Sequence, residues 1–227
     1  MGKADQAAWE ANAQFWDEQM GPDSNRFHRE VVRPLANRLL APRPGEHILE
    51  AACGNGNYAA YLAGQGVQVT AFDYSPAMVA LAKARQCRYL KHIRFLVADG
   101  TSLAELQAMA GPFDKAVCNM AVMDMAAIEP LFTWIFTQLK PGGCFVFVTQ
   151  HPCFVTLTEQ YLTPHSYDGE AIAGQPRLQR YYHRSLTDIL GQCFASGFVL
   201  DGFLEGVYGP KERPDVIAVR ARKPEKE

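Results

Sequence analysis

The stretch Ile48-Leu-Glu-Ala-Ala-Cys-Gly-Asn-Gly-Asn-Tyr-Ala59 decides the fold of this chain. An apolar run leads into a glycine-rich turn and a helical pattern follows, so the stretch predicts a strand, a tight loop and a helix. Glycine permits positive φ angles and lets the backbone approach a ligand closely. The free N–H groups at the start of a helix favour binding at the same place. We therefore predict a ligand-binding loop at residues 53–56.

The residues around this stretch alternate between short apolar runs and helical patterns. Five of the apolar runs predict strands, at 47–51, 67–72, 93–98, 114–119 and 144–149. The patterns between them predict helices, at 57–64, 76–87, 102–110 and 130–139. Strands that are connected through helices form parallel βαβ units with right-handed crossovers.

Two further strands are predicted near the end of the chain, at 198–205 and 215–222, after a helix at 185–196. The connection between them is too short for a helical crossover, so they form an antiparallel pair. The predicted fold is an α/β, Rossmann-like, doubly wound sheet of seven strands. It is mostly parallel with an antiparallel last strand, and has helices on both faces.

The same patterns divide the chain into parts. Residues 1–44 contain two helical patterns, at 4–20 and 24–41, and are expected to form an N-terminal helical lid or extension. Residues 45–222 form the main domain, and residues 223–227 form a tail. Within the domain, residues 150–182 are polar, aromatic and irregular. A long connection of this kind is typical of a functional segment, so we expect a substrate-binding insertion there.

The glycine-rich loop and Asp73 are compatible with two kinds of nucleotide cofactor. Gly54-x-Gly56-x-x-Ala59 fits a dinucleotide fingerprint, and Asp73 follows where a ribose-binding acid belongs. Glu50, just before the loop, would repel a pyrophosphate but attract the ammonium and sulfonium groups of S-adenosylmethionine. Asp99, which ends the third predicted strand, is placed to accept a hydrogen bond from an adenine amino group. The two acids favour S-adenosylmethionine over a nicotinamide dinucleotide.

Five segments in order resemble the class I S-adenosylmethionine-dependent methyltransferases of the small-molecule type. The resemblance is close over residues 45–149 and holds in outline over 185–222. The matching segments are 48–56, 71–78, 97–100, 113–118 and 139–143. Glu50 is a departure, because the family more commonly has Asp at that position.

The resemblance implies a set of cofactor contacts. Glu50 and the loop backbone would hold the methionine part, Asp73 the ribose hydroxyls, and the residues after the third strand the edge of the adenine. The full implied set is Glu50, Ala52, Cys53, Gly54, Gly56, Asp73, Tyr74, Met78, Asp99, Gly100 and Asn119. The sequence shows no spacing typical of a metal site, so no metal is expected.

The methyl acceptor should lie beyond the carboxyl ends of the strands. The substrate-binding candidates in segments that reach this edge are Trp16, His28, Asp124 and Tyr182. His151 directly follows the fifth strand and is the leading candidate for a general base. The alternative for His151 is a hydrogen-bonded structural histidine before Pro152. A base is dispensable if the acceptor atom has no proton to lose.

Composition narrows the classes of partner. The chain has 227 residues, of which 48% are hydrophobic and 20% charged, as in an ordinary soluble domain. Its net charge of −2 and scattered basic residues disfavour a nucleic-acid substrate. The chain lacks a signal-peptide pattern and a long apolar run, so we expect a cytoplasmic protein without a membrane partner. We expect a monomer or homodimer.

The sequence thus predicts an enzyme that transfers a methyl group from S-adenosylmethionine to a small-molecule acceptor by in-line displacement. Two alternatives stay open. A nicotinamide-dependent oxidoreductase explains the loop and Asp73, but not Glu50, Asp99 or the antiparallel pair. A non-catalytic protein that binds S-adenosylmethionine would keep the same pocket. The identity of the acceptor, and whether O, N, C or S is methylated, are not encoded in these patterns.

Overall fold

A computed structural model describes residues 3–225 of the chain. The helices are α1 (Lys3–Met20), α2 (Arg33–Leu40), α3 (Asn57–Ala63), α4 (Pro76–Arg85), α5 (Leu103–Gln107), α6 (Glu129–Gln138) and α7 (Leu186–Ala195). The strands are β1 (His47–Ala51), β2 (Gln68–Asp73), β3 (Ile93–Val97), β4 (Phe113–Asn119), β5 (Leu139–Gln150), β6 (His165–Gly169), β7 (Gln179–His183), β8 (Val199–Gly206) and β9 (Val216–Arg222).

Seven of the strands form one sheet, in the order β3-β2-β1-β4-β5-β9-β8. The first five are parallel, and β9 runs antiparallel to both β5 and β8. The predicted Rossmann-like sheet with its antiparallel last strand is therefore confirmed. The chain leaves β1 towards β2 on one side and returns to β4 on the other. A crevice opens at the carboxyl end of β1, because its neighbouring crossovers depart in opposite directions.

Helices cover both faces of this sheet, as predicted. Side chains alternate along each strand, so Ile48 of β1 packs beneath α2, α3 and α4, whereas Leu49 packs beneath α5, α6 and α7. The core between the sheet and helices α5, α6 and α7 is rich in phenylalanine. The ring of Phe132 on α6 lies 5.1 Å from that of Phe145 and 5.3 Å from that of Phe147, both on β5. This packing fixes the strand ends that carry the polar side chains. Within residues 3–225, no helix is both long and apolar enough to pass through a bilayer.

The N-terminal segment differs in part from its prediction. Residues 24–41, expected as one helix, form a π-helical turn at His28–Val32 followed by α2. Pro34 directly follows the π-helical turn, and because it lacks the N–H group that would bond to the preceding turn, it favours an irregular helix at this point. Ala36, Leu39 and Leu40 are buried against the sheet. Helix α2 is thus a layer of the main domain, and α1 is the helix that crosses the crevice.

The segment expected to be irregular contains a hairpin. Strands β6 and β7 pair antiparallel, with His165 opposite His183 and Gly169 opposite Gln179. The prediction of an irregular segment was wrong at this point. The inward positions of β7 are Gln179, Tyr181 and His183, all buried. Two of these side chains are polar, so the alternation that identifies a strand is not apparent as hydrophobicity.

The glycine-rich turn begins helix α3 and depends on Gly56. Gly56 has a φ of +72°, and a Cβ atom there would lie 2.7 Å from the ring of Phe95 on β3. We expect Gly56→Ala to lower the free energy of unfolding by about 2–4 kcal/mol, because it combines a left-handed conformation with overpacking. Urea unfolding measures this change.

Gly191, in α7, is the matched control for this substitution. A Cβ atom there meets nothing within 4 Å, so Gly191→Ala should raise stability by about 0.5–1 kcal/mol through helix propensity. Equal effects of the two substitutions would contradict the steric role of Gly56.

Candidate functional site

A cavity of about 1000 Å³ occupies the crevice at the carboxyl ends of the parallel strands. The structure brings together there all the predicted cofactor contacts except Gly56: Glu50, Ala52, Cys53, Gly54, Asp73, Tyr74, Met78, Asp99, Gly100 and Asn119. Gly56 lies beneath the loop, against Phe95 and Ala82, where it lets the loop pack on the domain.

Two buried acceptor atoms of this cavity lack a donor. Glu50 Oε2, at the end of β1, and Asn119 Oδ1, at the end of β4, have no hydrogen-bond partner among the described residues. A buried polar atom without a partner costs about 1–3 kcal/mol. An ammonium group carries three donors and can satisfy both atoms. The floor of the cavity is therefore built for a cationic donor group.

The surroundings of Glu50 disfavour the ionised form of its carboxyl group. Burial, followed by the neighbouring charge of Asp73, raises the pKa of Glu50 to about 8. The backbone N–H of Ala59 donates to this carboxyl group and opposes the shift. A cation placed beside Glu50 would favour its ionised form.

Asp73 ends β2 and is held by the backbone on both oxygens. The N–H of Gly54 donates to Oδ2 at 2.9 Å and the N–H of Ser75 donates to Oδ1 at 3.0 Å. Burial raises the pKa of Asp73 to about 6 although these hydrogen bonds oppose the shift. A carboxylate accepts about four hydrogen bonds, so capacity remains on the cavity side for hydroxyl groups.

Another part of the cavity, called the slot, is lined by apolar side chains and has polar groups beside them. Tyr74, Met78 and Met125 line the slot. A Cβ atom on Gly100 would lie 3.4 Å from Cε of Met125, so this glycine keeps the slot open. On the rim, Asp99 Oδ1 accepts hydrogen bonds from the N–H and the hydroxyl of Thr101, both at 2.8 Å. The apolar lining and the polar groups beside it suit a purine ring.

Helix α1 crosses the cavity and is fastened to the domain. Asp17 accepts a hydrogen bond from Asn55 Nδ2 at 2.8 Å and pairs with Arg85 Nε at 2.7 Å. The ring of Trp16 packs over Gly54, 3.3 Å from the position of a Cβ atom there. No local pattern predicts the contact between Asp17 and Arg85, which are 68 residues apart.

A second cavity of about 880 Å³ adjoins the first, between α1, the hairpin β6–β7 and the loop after β8. Six residues line both cavities: Trp9, Trp16, Met20, His28, Met120 and Asp124. Trp16, His28 and Asp124 thus lie where a substrate site was predicted. Tyr182 lies apart from both cavities, and its hydroxyl donates to Asp5 Oδ2 at 2.9 Å.

Of the six shared residues, His28 and Asp124 are those with a side chain that can accept a proton. Asn25 Oδ1 lies 2.9 Å from Nδ1 of His28, which places the ring proton on Nδ1 and leaves Nε2 as an acceptor. Burial, then the charge of Arg33, lowers the pKa of His28 to about 4, so the ring is neutral at pH 7. Asp124 is buried and accepts a hydrogen bond from Gln179 Nε2 at 3.2 Å. Burial raises the pKa of Asp124 well above its ordinary value.

His151, the leading candidate for a general base, lies outside both cavities. Its ring is buried, with Nε2 2.8 Å from Glu205 Oε1 and Nδ1 accepting from the N–H of Cys153 at 3.2 Å. Both nitrogens are engaged within the protein. The geometry matches the alternative reading, a structural histidine that fixes the turn after β5.

The segment that contains most of the residues of this site matches known methyltransferases. Residues 48–143 match the model of a methyltransferase domain family. The chain is 28% identical to malonyl-(acyl-carrier protein) O-methyltransferase of Enterobacter lignolyticus over 71% of its length and 60% of that protein. It is 26% identical to demethylmenaquinone methyltransferase of Beutenbergia cavernae over 81% of its length and 76% of that protein. It is 33% identical to a 23S rRNA uracil C5-methyltransferase of Acidithiobacillus ferrooxidans over 61% of its length and 31% of that protein.

A solved structure agrees over most of the chain. A putative S-adenosylmethionine-dependent methyltransferase from Listeria monocytogenes superposes with a TM-score of 0.69 and 18% identity, covering 85% of this chain and 96% of that one. Among residues 5–225, no group of three or more His, Cys, Asp or Glu side chains is placed to hold a metal ion. The matched segment spans the loop, Asp73 and Asp99, which carry the geometry described above. Residues 48–143 of the chain thus match a methyltransferase domain, and the fold around them is that of S-adenosylmethionine-dependent methyltransferases.

Proposed function

We propose that this protein transfers a methyl group from S-adenosylmethionine to a small molecule bound in the second cavity. The observation that carries the proposal is the pair of unpartnered acceptors, Glu50 Oε2 and Asn119 Oδ1, in one cavity with Asp73. The first two fit an ammonium group, and Asp73 fits ribose hydroxyls. The apolar slot beyond Tyr74 fits the adenine. The residues present therefore suit the whole cofactor.

The chemistry that the cofactor supplies when bound is a methyl group on a sulfonium sulfur, which an acceptor lone pair attacks as the carbon–sulfur bond breaks towards sulfur. Glu50 and Asn119 would fix the amino acid end, and Asp73 would fix the ribose. Helix α1 would exclude water from the crevice. Most of the acceleration would come from this orientation of two reactants, one in each cavity.

A small acceptor is supported by the shape and the charge of the second cavity. Its lining combines apolar and aromatic side chains with a few polar groups, as is typical of ligand pockets for small molecules. Helix α1 and the hairpin border it, and the net charge of −2 disfavours a nucleic-acid chain as the acceptor. The relatives include proteins named for a carrier-bound acyl group, a quinone precursor and an rRNA. Residues 150–182 would then form the acceptor-binding insertion.

The alternatives explain fewer of the same features. A pyrophosphate beside Glu50 would add a negative charge next to Glu50 and Asp73, so a nicotinamide dinucleotide is disfavoured. A non-catalytic binding protein would have no use for two proton acceptors, His28 and Asp124, on the boundary between the two cavities.

Fractionated cell extract tests the proposed acceptor class. The protein is incubated with S-adenosylmethionine labelled on the methyl group and with one fraction at a time: dialysable metabolites, RNA or protein. We expect label in the metabolite fraction, and much less of it with the variant Asp73→Ala. Label confined to the RNA or protein fraction would contradict a small-molecule acceptor.

Binding of S-adenosylhomocysteine is expected to become tighter as the pH rises from about 6 to about 7.5. The pKa of Glu50 is about 8 in the free protein, and the ligand ammonium favours the ionised form. Binding therefore releases a proton in this range, and affinity rises by up to about tenfold per pH unit. Asp73, with a pKa of about 6, contributes in the same direction at the lower end.

Calorimetry in buffers of different ionisation enthalpy measures both the affinity and the proton release. The control is Glu50→Gln, which cannot ionise and should flatten the slope above about pH 6.5, where Asp73 is largely ionised. The same slope in the variant as in the wild type would exclude Glu50 as its source.

A further inference from the structure

Among the described residues that line the second cavity, six carry an aromatic or imidazole ring. Trp9 lies 6.1 Å from Trp16 at an interplanar angle of 69°, and Phe27 lies 5.6 Å from Tyr208 at 83°. His28 stands edge-on to Phe27 at 89°. Edge-to-face rings of this kind form flat apolar walls at right angles, which suit a flat aromatic guest.

The charges of this cavity are all of one sign. Among the described residues that line it, two carry carboxyl groups, Asp124 and Asp215, and none is Lys or Arg. Asp215 is compensated, because Lys211 Nζ lies 2.5 Å from its Oδ1 and the N–H of Tyr208 donates to its Oδ2 at 2.8 Å. Asp124 is buried at the boundary with the first cavity, and the neutral amide of Gln179 donates to it.

An anionic acceptor is therefore mismatched to the cavity. Its carboxylate or phosphate would be buried in surroundings of low polarity with no Lys or Arg among the described lining residues to balance it, and it would repel the ionised form of Asp124 that can accept a proton. A hydroxyl or amine meets complementary groups instead. It can donate to Asp124, and a second donor can reach the unprotonated Nε2 of His28.

We propose that the acceptor is an uncharged or cationic aromatic molecule that presents a hydroxyl or amine group to Asp124 and His28. This inference rests on the proposed function and specifies its substrate. During transfer a bond forms between the acceptor oxygen or nitrogen and the methyl carbon. The carbon–sulfur bond breaks with its electron pair on sulfur, and the acceptor proton passes to the carboxylate of Asp124.

Three probes of the same shape test the inference: 2-naphthol, 2-naphthylamine and 2-naphthoate. Each is titrated into the full-length protein saturated with S-adenosylhomocysteine. We expect the first two to bind at least about tenfold more tightly than 2-naphthoate, because only 2-naphthoate brings a carboxylate into a cavity whose described lining residues include no Lys or Arg. Tighter or equal binding of 2-naphthoate, or no binding of either uncharged probe, would overturn the proposal.

Two variants show whether Asp124 causes the discrimination. Asp124→Asn removes the ionisable group, so the preference for 2-naphthol over 2-naphthoate, which should grow in the wild type as the pH rises and Asp124 ionises, should not change with pH in the variant. Asp168→Asn changes an exposed carboxyl group on β6 that pairs with Arg180, and should leave the difference unchanged. Failure of S-adenosylhomocysteine itself to bind would count against the proposed function, whereas its binding together with a preference for 2-naphthoate would count against this inference alone.

Discussion

Asp73→Ala is expected to weaken the binding of S-adenosylhomocysteine by about 10- to 150-fold, which corresponds to about 1.5–3 kcal/mol for hydrogen bonds to a charged group. The substitution removes the acceptor for the ribose hydroxyls. It also frees the N–H groups of Gly54 and Ser75, which Asp73 holds at 2.9 and 3.0 Å. Isothermal titration calorimetry measures the affinity directly.

Asp168→Ala is the control, because Asp168 is an exposed carboxyl group on β6, outside both cavities. The affinity of this variant for S-adenosylhomocysteine should stay within about twofold of the wild-type affinity, as expected for a surface change remote from the site. Thermal unfolding of both variants shows whether the domain remains folded. Wild-type affinity in folded Asp73→Ala would remove Asp73 from the cofactor site.

Asp124→Asn is expected to lower kcat for a hydroxyl or amine acceptor by about 100- to 10,000-fold, the usual contribution of a positioned base. The amide is close in size to the carboxyl group and can still accept the hydrogen bond from Gln179. The variant cannot take up a proton, whereas the ionised form of Asp124 is a stronger base than an exposed carboxylate because burial raises its pKa. Single-turnover measurements with bound cofactor separate this step from binding.

His151→Ala is the comparison for this variant. His151 pairs with Glu205 away from both cavities, so its loss should reduce stability while kcat of the folded protein stays within about threefold. A large loss of kcat in folded His151→Ala, together with normal turnover by Asp124→Asn, would reverse the two assignments.

The sheet was predictable because its signals are local. Each parallel strand is a short apolar run, and the handedness of βαβ crossovers leaves few arrangements for such runs. The positions of Glu50, Asp73, Asp99 and Asn119 followed from the same reasoning, because each lies at or just after the carboxyl end of a parallel strand. Parallel strands bring such ends to one edge of the sheet, so side chains distant in sequence meet there.

The boundary between the cavities was less predictable because its contacts are distant in sequence. Gln179 and Asp124 are 55 residues apart, and no local pattern marks either as a partner of the other. His151 was favoured because it follows a strand, yet its ring turns towards Glu205 on β8. The placement of a side chain after a strand depends on the next turn, which periodicity does not determine. Hairpin β6–β7 was not predicted because some of its buried positions are polar, so its sequence does not show the alternation of hydrophobic and polar residues that indicates a strand.

The most direct test of the central claim is calorimetric titration of the wild-type protein with S-adenosylhomocysteine and, separately, with NAD⁺. The account predicts one site for S-adenosylhomocysteine, with affinity that rises with pH as Glu50 ionises, and no measurable heat from NAD⁺. Preferential binding of NAD⁺, or no binding of S-adenosylhomocysteine to the folded protein, would contradict the assignment of the cavity.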